Sequence, residues 1–137
     1  ELQEAFIRAA QRGVDVRVIM PGIPDKKIIF RLSHSYYQAL LEAGVKIYQY
    51  DPGFVHAKAC IADDVIGTVG TVNLDYRSLF LHFENNSLFY KASLLDDLKK
   101  DFMQTLSKST EQQPYDRQKY MRWWIVDGIL RIFAPLC

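Results

Sequence analysis

The stretch Val55-His56-Ala57-Lys58-Ala59-Cys60-Ile61-Ala62-Asp63, followed by Gly70-Thr71-Val72-Asn73 and then Phe83-Glu84, decides how this 137-residue chain reads. It predicts strands over 54–62 and 65–69 around an Asp63-Asp64 turn. Side chains two apart on a strand share a face, so His56 and Lys58 would project together, roughly 7 Å apart. Val55, Ala57, Ala59 and Ile61 would enter the core from the other face. An imidazole beside a fixed ammonium suits a phosphate ester: the Lys offsets charge on the non-bridging oxygens, and the His attacks phosphorus or delivers a proton. Gly70, Thr71 and Asn73 add a hydroxyl, an amide and backbone N–H donors for an anionic phosphoryl group. Glu84, opening the next strand, is placed to accept Nδ1–H of His56, which would fix the tautomer and steady the imidazolium.

Working outward, Leu2, Ala5, Phe6 and Ala9 sit at helical spacing over 1–12 before Gly13. Alternation over 14–20 predicts a strand that ends at Pro21-Gly22. A helical period returns over 25–43, and 45–50 reads as a strand before the Asp51-Pro52-Gly53 turn. Residues 70–79 read as a polar loop and 83–90 as a fifth strand. Ser93-Leu94-Leu95-Asp96 resembles a capping box, opening a helix to about 108 that buries Leu94, Leu95, Leu98, Phe102 and Leu106. This order predicts an α/β layered domain, a mixed sheet flanked by helices, over 1–108. Residues 109–116 read as a linker. Residues 117–137 read as an apolar tail with Trp123 and Trp124, open to two readings: an interfacial helix, or a helix packing on protein.

The chain is 49% hydrophobic and 24% charged with seven Gly and five Pro, which excludes collagen-like and disordered classes. Seventeen basic against sixteen acidic residues argue against sequence-independent nucleic-acid binding. Cys60 and Cys137 stand 77 positions apart, without the spacing of a zinc site or a disulfide framework. No apolar run reaches 18 residues. The chain opens inside a helical pattern without a cap, and is expected to be a piece of a longer protein.

Bland readings compete with the catalytic one. A lone His on a strand is usually a satisfied packing residue; Lys58, the glycine–Asn loop and Glu84 tip His56 toward chemistry. His34 reads as surface or helix packing, and His82 as an exposed residue near the site. Cys60 reads as a small packing residue. Arg77 offers a bidentate fork either to a phosphate or to its own loop.

His56, Lys58 and Asp63, with Gly70, Thr71 and Asn73 in register, resemble the HKD signature of the phospholipase D superfamily, and the family's acidic residue falls at Glu84. The flanks Arg12-Gly13-Val14-Asp15-Val16-Arg17, Leu41-Glu42-Ala43-Gly44-Val45-Lys46-Ile47-Tyr48 and Val72-Asn73-Leu74-Asp75-Tyr76-Arg77-Ser78 are similar to bacterial cardiolipin synthases. The resemblance implies a phospholipase D-like fold forming half of a two-motif pseudo-dimer, completed by a missing N-terminal HKD half or a second copy of this chain. It implies His56, Lys58, Asp63 and Glu84 as catalytic residues, and Gly70, Thr71, Asn73 and Arg77 as binders of the substrate phosphate. The implied reaction turns two phosphatidylglycerol molecules into cardiolipin and glycerol at the bacterial inner membrane, through a phosphohistidine and with no metal, cofactor or nucleic acid. Two alternatives stay open: a homodimeric phosphodiesterase or nuclease, and a non-catalytic lipid-binding module.

Overall fold

The structure, a computed structural model, describes residues 1–115 and 124–132 of the chain. Helix α1 (Leu2–Gln11) ends against Gly13, whose φ of +88° is open to glycine at little cost. Strand β1 (Arg17–Pro21) follows, shorter than the alternation over 14–20 predicts. The expected helix over 25–43 divides into α2 (Lys27–Ser35) and α3 (Tyr37–Glu42). The break has a local cause. Ser33 and Ser35 hydroxyls donate to the carbonyls of Ile29 and Leu32, and Nδ1 of His34 lies 2.7 Å from the Phe30 carbonyl. Side chains thus compete for acceptors that a continuous helix needs.

Gly44, at φ +93°, turns the chain into β2 (Lys46–Tyr50), which pairs parallel with β1 through Val18 opposite Ile47. Asp15 braces this pair, bonding Arg17 at 2.5 Å and Lys46 at 2.8 Å. These two cationic neighbours hold its carboxyl down at about 2. The core below is Tyr37, Val45 and Ile47, packed by Phe6, Ala10, Val18, Leu40 and Leu41. Ile47, at 1% exposure, contributes about 1.5–3 kcal/mol by burial.

The second half is a meander. Strands β3 (Ala59–Ala62), β4 (Ile66–Gly70) and β5 (Asn86–Tyr90) pair antiparallel, with the short helix α4 (Tyr76–Phe80) between β4 and β5. Helix α5 (Leu94–Leu106) packs Leu95 and Leu98 onto Gly67, where a Cβ would stand 2.7 Å from the Leu95 side chain. It also touches β2 and β6 (Ser109–Glu111), so it spans the two sheets. Helix α6 (Trp124–Ile132) packs on α2.

Several expectations change. The expected mixed sheet is β1-β2-β6, and the other three strands form a second, antiparallel sheet, β3-β4-β5. The linker expected from 109 begins as a strand, because β2 offers its free edge to Ser109–Glu111. Ser93 makes no side-chain cap: its backbone is already helical, and the amides of Leu95 and Asp96 bond the carbonyls of Ala92 and Ser93. Leu94, expected inside, is 45% exposed. Much of the expected tail, including Trp123 and Cys137, lies outside the described residues. Among the described residues no helix is long and apolar enough to cross a membrane.

Candidate active site

The His-x-Lys segment is not on a strand. The β3–β4 ladder runs from Ala62 opposite Ile66 to Ala59 opposite Val69, and one more bond, Gly70 N–H to the Lys58 carbonyl (3.0 Å), closes it. Beyond Gly70 the β4 chain turns away, so residues before Lys58 have no ladder partner. His56 therefore sits on an extended connector, exposed, its ring 5.9 Å from that of Phe54. Ala57, expected in the core, is exposed as well. The Lys58 ammonium folds back to donate to the His56 carbonyl at 2.6 Å.

Gly70 has a steric reason to be glycine: a Cβ there would collide with the Asn85 carbonyl and the Asn86 side chain. That closeness lets Thr71 and Asn85 trade bonds, Thr71 N–H to the Asn85 carbonyl (3.0 Å) and Asn85 N–H to Thr71 Oγ1 (3.0 Å). Thr71 Oγ1 in turn donates to Glu84 Oε2 at 2.5 Å. The other oxygen of Glu84 accepts from Ser78 Oγ at 2.8 Å. Ser78 is buried, takes Asn73 Nδ2 at 3.3 Å, and has its own N–H capped by Asp75 at 2.7 Å. The hydroxyls of Thr71 and then Ser78 hold the Glu84 carboxyl below its ordinary value, with His82 and Lys58 adding charge attraction.

This network revises the expected roles. Glu84 makes no hydrogen bond to the His56 ring; its two oxygens accept from the Thr71 and Ser78 hydroxyls, and His82 Nδ1 lies 3.9 Å from one of them. Thr71 turns its hydroxyl to Glu84, and the amides of Gly70, Thr71 and Val72 are engaged by Lys58, Asn85 and Asn86. Gly70 and Thr71 thus shape the loop and leave few N–H donors open to a phosphate. Asp63, at φ +52°, sits with Asp64 in the turn at the far end of β3, the length of that strand away from Lys58. The hairpin separates it from the site. Arg77 is exposed on α4, its guanidinium unpaired among the described residues.

Two participants escaped the sequence reading: Ser78 and the helix that carries it. Asp75, three positions before Ser78, was the available signal, since Asp at that offset caps a helix N-terminus. His34 packs as expected, stacked on Tyr37 at 4.4 Å between ring centres. Among the described residues no cluster of His, Cys, Asp or Glu is placed to hold a metal ion.

Comparison with known proteins gives the family and the fold. The family described as cardiolipin synthase, PLD-like domain, matches residues 1–106. An uncharacterized protein of Streptococcus mutans is 50% identical over 137 residues, covering 99% of this chain and 30% of its own length. A cardiolipin synthase of Halalkalibacterium halodurans is 40% identical over 138 residues, covering 99% of this chain and 27% of its own. A cardiolipin synthase 2 of Bacillus anthracis is 41% identical over 139 residues, with the same shares of 99% and 27%. The chain thus spans under a third of the length of these relatives. Among solved structures, the phospholipase D family member Nuc from Salmonella typhimurium matches with a TM-score of 0.72 at 18% identity, over 81% of this chain and 72% of that one. The fold is that of the phospholipase D family, and the chain belongs to the cardiolipin synthase PLD-like domain family.

Proposed function

We propose that this chain is the C-terminal catalytic half of a cardiolipin synthase, moving a phosphatidyl group between two phosphatidylglycerol molecules at the bacterial inner membrane. The observation that carries the reading is the Gly70–Lys58 bond, which joins the connector bearing His56 to the loop braced by Glu84. The Lys58 ammonium bonds the His56 carbonyl, and the His56 ring is exposed and free of hydrogen bonds among the described residues.

In the proposed reaction a histidine from a second motif, in the rest of the protein or in a second copy of this chain, attacks phosphorus. The P–O bond to glycerol breaks and His56 protonates the departing alkoxide. His56 then takes the proton from the 3′-hydroxyl of a second phosphatidylglycerol as that oxygen displaces the phosphohistidine. Cardiolipin leaves and both histidines return to their starting states. Lys58 and Arg77 offset charge on the non-bridging oxygens. Thr71, Ser78 and Glu84 act as positioning residues. This chemistry calls for no metal, cofactor or nucleic acid.

The test is glycerol release from phosphatidylglycerol vesicles by the full-length protein. His56→Ala is expected to lower turnover roughly 10²–10⁴-fold, the range of general acid–base catalysis. The 137-residue chain alone is expected to turn over little as a monomer. Unchanged release by the variant contradicts the reading.

A further inference from the structure

Helix α6 is amphipathic the wrong way round for a protein surface. Its polar residues face inward: Asp127, 7% exposed, takes Nε and Nη2 of Arg31 on α2 at 2.9 and 2.8 Å. One turn on, Arg131 donates to the Ser35 hydroxyl at 3.1 Å and to the Ser35 carbonyl, and stacks over the Tyr36 ring. Its apolar residues face outward: Val126 is 42% exposed, Ile129 52% and Ile132 73%. Steps of three put these on one stripe. Ile28 of α2, 66% exposed, lies on the line of Arg31 and Ser35, the side against which α6 packs.

We infer that α6, clamped by Arg31 and Ser35, is a rigid docking element whose apolar stripe lies in the surface of an anionic lipid bilayer. Two pairs of contacts, 31 with 127 and 35 with 131, fix both its direction and its rotation, so the outward stripe is set by the fold. Charge complementarity points to lipid. The approach to α6 carries Arg117, Lys119 and Arg122 with no acidic residue among 117–122. At the start of α2, Lys26 and Lys27 are exposed and unpaired among the described residues, with Asp25 the neighbouring acid. An exposed apolar stripe preceded in the sequence by basic residues and by Trp123-Trp124 has the composition of an interfacial helix. The inference rests on the reading of the site as one that takes a membrane lipid, and would hold the site at the surface where that lipid lies.

The experiment is co-sedimentation of the chain with phosphatidylglycerol–phosphatidylcholine vesicles, read alongside tryptophan fluorescence, since both tryptophans are at 123 and 124. The wild type is expected to partition onto vesicles containing phosphatidylglycerol, with a blue-shifted emission and with binding that weakens as salt rises. Ile129→Glu is expected to weaken partitioning at least about tenfold. Ile132→Ser, at a more exposed position, gives the same sign should Ile129→Glu fail to fold. His56→Ala is expected to bind as the wild type does, so failure here leaves the catalytic reading to its own test. Partitioning unchanged in both stripe variants overturns the inference. So does a dimer that Ile129→Glu splits while vesicle binding persists, because a second copy then covers the stripe.

Discussion

Gly70→Ala strikes the point on which the site's geometry depends. A Cβ at residue 70 would stand 2.6 Å from Asn86 Cα and overlap the Asn85 carbonyl. Both atoms are backbone, so no rotamer change relieves the clash; the start of β5 must move. That movement strains the Gly70–Asn86 register and the two 3.0 Å bonds between Thr71 and Asn85, each worth about 1 kcal/mol. With the overpacking itself the cost reaches about 3 kcal/mol. For a chain of this size that lowers the melting temperature by about 10 °C. Thr71 would also be drawn off Glu84, so turnover should fall further than stability alone explains. Urea unfolding followed by circular dichroism measures the first effect, and glycerol release at a temperature where the variant is folded measures the second. Gly53→Ala is the control: nothing lies within 4 Å of a Cβ there, and it should stay within about 0.5 kcal/mol of wild type. A Gly70→Ala protein as stable and active as Gly53→Ala would refute the packing argument.

Two further outcomes concern pH. The Glu84 carboxyl is held below its ordinary 4.5, so the stability it adds is present above that pH and lost as pH falls through the folded-state value. The acid limb of the stability profile should flatten in Glu84→Gln, as read by denaturant titrations between pH 3 and 6. His34 is shifted the other way in charge: burial lowers it from 6.5, with its ring bonded to Gln49 and the Phe30 carbonyl. The unfolded chain then binds the proton first, so stability declines as pH drops below about 6.5 and levels off below the folded-state value. NMR titration of the His34 ring should give a midpoint under 6.5, and a midpoint above it contradicts the assignment.

The parts of the fold legible in the sequence are those that local pattern alone determines. Helical spacing found α1, alternation found β1, and the Asp63-Asp64 pair found a turn that both residues make with positive φ. The misread ends depended on partners distant in the chain. Phe83 looked like the start of a strand but is fully exposed, because β5 pairs only from Asn86, where β4 ends at Gly70. His56 fell off its strand for the same reason. Ser109–Glu111 is polar and looked like a linker, yet joins β2 because an open edge lies beside it. In the site, residue types were readable and bonding partners were not. Glu84 was picked as an acceptor, but its partners are the Thr71 hydroxyl just past the end of β4 and the Ser78 hydroxyl on α4, a helix that a polar-loop reading did not contain.

The claim on which the account turns is that His56 moves a proton to and from the lipid alcohol. A phosphatidyl ester of p-nitrophenol, which leaves without a proton, tests it most directly beside phosphatidylglycerol. In the full-length protein, His56→Ala should keep a first-turnover release of p-nitrophenol near the wild-type rate while glycerol release from phosphatidylglycerol falls by roughly 10²-fold or more. Equal loss on both substrates, or glycerol release that persists, would contradict that role.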